Sequence, residues 1–191
     1  MTDDFSTLDS KQIDLIARQK IFFVATAARD GHINLSPKGH DTLRVIDDRT
    51  LLWLNLTGSA NETAAHLIDS NRLTLMWCSF EGPPKILRVY GSATTIHPRD
   101  EAWHRCAEII EPVEGARQYF EVSVDLVQTS CGYAVPILDF VGPRDVLTKW
   151  TENMGKEGIQ EYWGESNQRS LDGLPTHVLS EQADNPSAIP E

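Results

Sequence analysis

The 191 residues suffice for one domain with a sizeable core and are short for two, and a composition of 40% hydrophobic and 24% charged residues is that of a soluble globular protein. No apolar run nears the roughly 18 residues that a membrane span needs. A formal charge of -11, from 17 basic against 28 acidic residues, excludes broad contact with nucleic acid or an anionic membrane unless a local basic stripe overrides it, and the sequence has no such stripe.

The opening MTDDFSTLDSK is acidic and polar where a secretory signal is basic and then apolar, which predicts a cytoplasmic protein. Ser6 or Thr7 is the expected cap of a first helix, with Leu8, Ile13, Ile16 and Ala17 on its apolar face. Residues 21–28 (IFFVATAA) and 32–36 (HINLS) read as two strands joined at Arg29-Asp30-Gly31, a good hairpin turn. Strands follow at 42–46 and 50–56, reversing at Asp47-Asp48-Arg49. A helix carrying Ala64, Leu67 and Ile68 leads to a strand at 72–79. After the loop Glu81 to Pro84, residues 85–96 form a long strand with Gly91 inside it, where a bulge or barrel corner is the usual reason for glycine. Pro98 begins a helix packed through Trp103, Ala107 and Ile110, residues 119–128 alternate as a strand, and Tyr133 to Phe140 is a further strand candidate. Gly142 to Asp145 opens a last helix, limited by Gly155 and Gly158. The expected organisation is one domain over 1–178, with an arm at its end, and a flexible polar tail over 179–191. Strands in runs, with few helices and no βαβ alternation, predict an antiparallel barrel or sandwich.

Two segments concentrate polar chemistry. The strand end NLSPKG offers the Ser36 hydroxyl, the Lys38 charge and the small Gly39. In NLTGSANETAAHL a strand gives way to a helix among hydroxyls and amides. Asn61 or Ser59 can cap that helix, or else its free N–H groups, with Ser59, Asn61 and Thr63, can hold an anion. A cation arriving from elsewhere decides between these readings, and Lys38 is the candidate. The segment Glu165 to Pro175 is either a surface loop or an arm that closes a ligand site. Cys78, Cys106 and Cys131 show no ligand-type spacing and are expected to be buried free thiols. The six histidines lack HxH or HxxxH spacing, so no metal is expected.

FVATAARDGHINLSPKG, LLWLNLTGSANETAAHL, NRLTLMWCS and ILRVYGSATTI, in that order, resemble the FMN-binding split-barrel family typified by pyridoxamine 5'-phosphate oxidase. CGYAVP and NQRSLDGLP look like a subgroup of oxidase-like proteins within it and carry the resemblance to about Pro175. The resemblance implies a mainly β (α+β) fold, a six-stranded antiparallel Greek-key split barrel with peripheral helices, assembled as a homodimer with FMN at the interface. It implies that Asn34, Ser36, Pro37 and Lys38 line the flavin and reach its phosphate, and that Thr57, Gly58, Ser59, Asn61, Glu62 and Thr63 complete the phosphate site. The implied activity is an FMN-dependent oxidoreduction of a small molecule. The alternatives are a non-catalytic flavin-binding protein and a reductase using the deazaflavin F420 on the same scaffold. No catalytic side chain is indicated, although Arg88, Tyr90 and Cys131 are candidates for facing the substrate. The vitamin B6 oxidase grips its substrate's phosphate with a basic C-terminal segment. Here residues 161–191 hold six carboxylate side chains against only Arg169, so a second phosphate is poorly served.

Overall fold

Strand alternation sends one set of side chains to a common interior, and antiparallel pairing then orders the strands. The computed structural model describes residues 3–179. In chain order the elements are β1 (Asp3–Phe5), α1 (Ser10–Arg18), β2 (Phe22–Thr26), β3 (Asn34–Lys38), β4 (Leu43–Val45), β5 (Thr50–Leu56), α2 (Glu62–Asp69), β6 (Leu73–Cys78), β7 (Lys85–Ile96), α3 (Ala102–Ile109), β8 (Ala116–Cys131) and α4 (Val146–Ser166). The strands form one sheet in the order β3-β2-β6-β7-β8-β5-β4, with β1 added to β8, and every pair is antiparallel.

That sheet is curled. Four inter-strand steps of about 4.8 Å separate β2 from β5 along the sheet, which on a flat surface is about 19 Å. Yet the Phe22 and Trp53 rings lie 5.9 Å apart, edge to face. Trp77 stacks on Phe22 at 6.0 Å and Phe120 lies 4.8 Å from Trp53, so β2, β6, β8 and β5 all point aromatic rings into one interior. Val24, Leu51, Leu75, Leu87, Val89, Val122 and Val127 complete this core, each at most 1% exposed. The fold is therefore the mainly β split barrel that the sequence predicts. It has eight strands rather than six because the three-residue β1 and β4 extend the sheet.

Gly91 marks a register shift between β7 and β8, as a glycine inside a long strand suggests. A Cβ there would collide with the Ser123 carbonyl oxygen. Outside the barrel, α3 covers a second cluster of Leu52, Leu54, Ile96 and Tyr119 with Cys106, and α4 packs Ile159 and Trp163 against Val178.

Several local expectations are corrected. The first helix is capped by Asp9, not Ser6 or Thr7. Its carboxylate accepts the Gln12 amide at 2.8 Å while the Gln12 side chain accepts the Asp9 amide at 2.8 Å, a reciprocal box neither hydroxyl could make from its position. Pro98 to Glu101 is a turn before α3 rather than its first turn. Tyr133 to Phe140 is not a strand, because β8 has already found its partners in β7, β5 and β1. Cys78 and Cys106 are buried, but Cys131 is exposed where β8 leaves the sheet. As expected, Gly155 limits the last helix: it takes a φ of 63° and breaks α4 at a kink. Of the tail expected over 179–191, only Leu179 lies within the described residues. Among those residues no helix is long and apolar enough to cross a membrane.

Candidate functional site

Sheet closure brings the two ends of the strand order together. Strand β3 is one edge, and β4 with its partner β5 forms the other. Between them lies a cavity of about 300 Å³. All ten residues singled out from the sequence line it: Asn34, Ser36, Pro37 and Lys38 from β3, and Thr57, Gly58, Ser59, Asn61, Glu62 and Thr63 from the loop after β5 and the start of α2. Arg117, Trp53, Asn55, His40, Thr42 and Leu147 are lining residues that sequence reasoning did not select.

The start of α2 corrects the cap expected of Asn61 or Ser59 in NLTGSANETAAHL. No side chain caps the helix. The Asn61 side-chain oxygen is occupied instead, accepting from Gln118 at 2.7 Å and from Asn55 at 3.4 Å. The first-turn amides therefore keep their donors uncommitted to a side-chain cap, at the positive end of the helix. Thr63 is buried in that first turn, and its hydroxyl oxygen accepts from the Asn34 side chain at 3.4 Å. Asn34 also donates to Thr26 at 3.0 Å, and Thr26 meets the buried His66 ring at 3.1 Å, so the β3 side of the cavity is tied to α2. Glu62 is drawn away by other partners. One carboxylate oxygen accepts the Leu171 amide at 2.9 Å and the other lies 3.7 Å from His66.

Two cations complete the walls. Lys38 leans over the Trp53 ring with Nζ 5.4 Å from its centroid. Burial, and then the charge of Arg117, bring its pKa down to about 8. Arg117 is 2% exposed, and burial lowers its pKa to about 10. Its Nη1 donates to the Ala60 carbonyl and to the Asn167 side-chain oxygen, each at 2.8 Å. Among the described residues neither cation is paired with a carboxylate. A half-buried lysine and a buried arginine beside a helix N-terminus, neither paired with a carboxylate among the described residues, form a donor set suited to an anion.

The end of α4 and the segment after it close the back of this loop. Trp163 donates to the Thr57 hydroxyl at 2.9 Å and Asn167 to the Gly58 carbonyl at 3.1 Å. Asp172 accepts from the His32 amide at 2.8 Å and lies 2.7 Å from the His32 ring. Arg88 and Tyr90 face the other way. They are half-buried against Ser130 and Gln128 and, like Cys131, do not line the cavity. The one signal for Arg117 was a cation and an amide, Arg117-Gln118, directly before the apolar-polar alternation that begins at Tyr119.

Residues 8–131 match the family model described as pyridoxamine 5'-phosphate oxidase. Over 191 residues the chain is 32% identical to the pyridoxamine 5'-phosphate oxidase family protein ustO of Aspergillus flavus, covering 90% of this chain and 76% of that protein. Among solved structures, HupZ of Group A Streptococcus superposes with a TM-score of 0.51 at 20% identity, over 64% of this chain and 98% of that one. A candidate pyridoxamine 5'-phosphate oxidase of Lactobacillus delbrueckii gives 0.51 at 18% identity, over 64% and 94%. At such identities the solved structures attest a common fold.

Proposed function

Since the chain belongs to the pyridoxamine 5'-phosphate oxidase family, we propose that it holds FMN in the cavity between β3 and α2 and works as an FMN-dependent oxidoreductase on a small molecule. The observation that carries this reading is the pair of half-buried Lys38 and buried Arg117, without a carboxylate partner among the described residues of a protein of net charge -11, and set beside the uncapped start of α2. A phosphate dianion satisfies that donor set.

Lys38, Arg117 and the first-turn amides of α2 would hold the phosphate, with Thr63, Ser59 and Ser36 adding hydroxyl contacts. Trp53 and Leu54 wall the cavity and exclude water, which strengthens every charge interaction inside it. FMN, when bound, supplies one- or two-electron redox chemistry, and this chain's part is to bind and orient it. The arm, with Arg169 as its only Lys or Arg, offers little to a second phosphate, so a non-phosphorylated substrate fits best. The cavity lies at the low end of the roughly 300–1,000 Å³ range of ligand pockets, which supports a second wall from a partner subunit. Ile33 and Leu35, 77% and 66% exposed on the edge strand and just before it, suit that contact.

The test is direct. Full-length protein purified with FMN should show a bound-flavin spectrum, and Lys38→Ala should weaken FMN at least about tenfold in a fluorescence titration. A wild-type protein that binds no flavin, or an unchanged Lys38→Ala, would refute the assignment.

A further inference from the structure

We propose that Asn167 is a positioning residue of the anion site, holding Arg117 against the 57–61 loop by a neutral contact that leaves its charge available. The inference rests on the cavity taking a phosphate. Arg117 projects from the beginning of β8 on a long, flexible side chain, so something must fix it. Its Nη1 is shared by two acceptors, the Ala60 carbonyl and the Asn167 side-chain oxygen, each at 2.8 Å. The amide nitrogen of the same Asn167 side chain donates to the Gly58 carbonyl at 3.1 Å. One side chain thus grips both the cation and the loop that it serves.

Asn167 is itself rigidly placed. It is fully buried, its backbone amide donates to the Trp163 carbonyl at 3.0 Å, and its carbonyl accepts the Thr176 hydroxyl at 2.5 Å. The grip continues on either side, since Trp163 holds Thr57 and Leu171 holds Glu62. Residues 163, 167 and 171 therefore meet 57, 58 and 62 in order.

The chemical type matters as much as the place. An aspartate at 167 could orient Arg117 equally well, but it would neutralise the guanidinium and compete with an incoming phosphate. An asparagine orients without cancelling. Both acceptors on Nη1 are neutral, as a site built to present a cation requires.

The experiment uses full-length wild type, Asn167→Asp and Asn167→Ala, with FMN and riboflavin titrated in parallel and melting followed for each. Asn167→Asp is nearly isosteric and keeps the acceptor toward Arg117, so it remains an informative variant if Asn167→Ala fails to fold. The expected result is a loss of FMN affinity of about tenfold or more in Asn167→Asp, with riboflavin affinity unchanged. Asn167→Asp behaving like wild type, or losing FMN and riboflavin equally, would overturn the proposal in favour of a purely structural residue. If the wild type binds neither flavin, the FMN reading falls separately and inorganic pyrophosphate becomes the probe in the same melts. Stabilisation of wild type but not of Asn167→Asp then supports the positioning role, and equal or absent stabilisation overturns it.

Discussion

Lys38 places its ammonium 5.4 Å from the centre of the Trp53 ring, with burial and the nearby Arg117 lowering its pKa from 10.5 to about 8. A lowered pKa on a base means that the folded chain binds its proton less well than the unfolded chain does. The resulting penalty is fully present below pH 8 and fades as pH rises toward 10.5. Lys38→Met should therefore raise the unfolding free energy of ligand-free protein by about 1–3 kcal/mol at pH 7, and the gain should shrink at pH 10. Urea melts at the two pH values check this, and a variant less stable than wild type at pH 7 would contradict it. Lys38 was legible from the sequence because a hydroxyl, a lysine and a glycine cluster at one strand end. Arg117 was not, because nothing local says that a strand's first residues will reach a loop near residue 60. Asn167 lay in a segment flagged as a possible arm, but its side-chain partners are set by tertiary docking alone.

At the scale of elements, the bulge between β7 and β8 depends on Gly91. A methyl group at that position would meet the Ser123 carbonyl oxygen, which belongs to the backbone and cannot swing aside. Gly91→Ala should destabilise the protein by at least about 2 kcal/mol in urea melts, and a loss below about 0.5 kcal/mol would argue against the bulge. The strands at 50–56 and 85–96 are legible to the residue, since β-rich composition and turn residues bound them on both sides. The misses show what pattern cannot supply. β1 is the polar Asp3-Asp4-Phe5, a strand only because the 127–129 stretch of β8 offers it a partner. Tyr133 to Phe140 has the opposite defect, an apolar pattern that pairs with no strand of the sheet. A strand needs a partner as well as a pattern.

For the molecule as a whole, the closed sheet leaves apolar side chains outside. Ile33 and Leu35 stand beside the cavity, and Tyr133, Ile137 and Val141 are each more than 80% exposed in the segment after β8. If a second copy covers this surface, Leu35→Glu should shift the protein from dimer to monomer in sedimentation equilibrium and weaken FMN. A wild type that is already monomeric, or a variant that stays dimeric, would refute that arrangement. The same layout sets an order of completion during synthesis. Every lining residue of the cavity except Arg117 and Leu147 comes from residues 34–63, yet the groups that steady this stretch arrive with β8 and with Asn167. At translation speeds of roughly 5–20 residues per second, the loop leaves the ribosome about 5–20 s before the side chain that fastens it. A nascent chain halted between Arg117 and Asn167 would carry both cations with no arm to hold them, so the pocket is finished only once residue 167 has emerged.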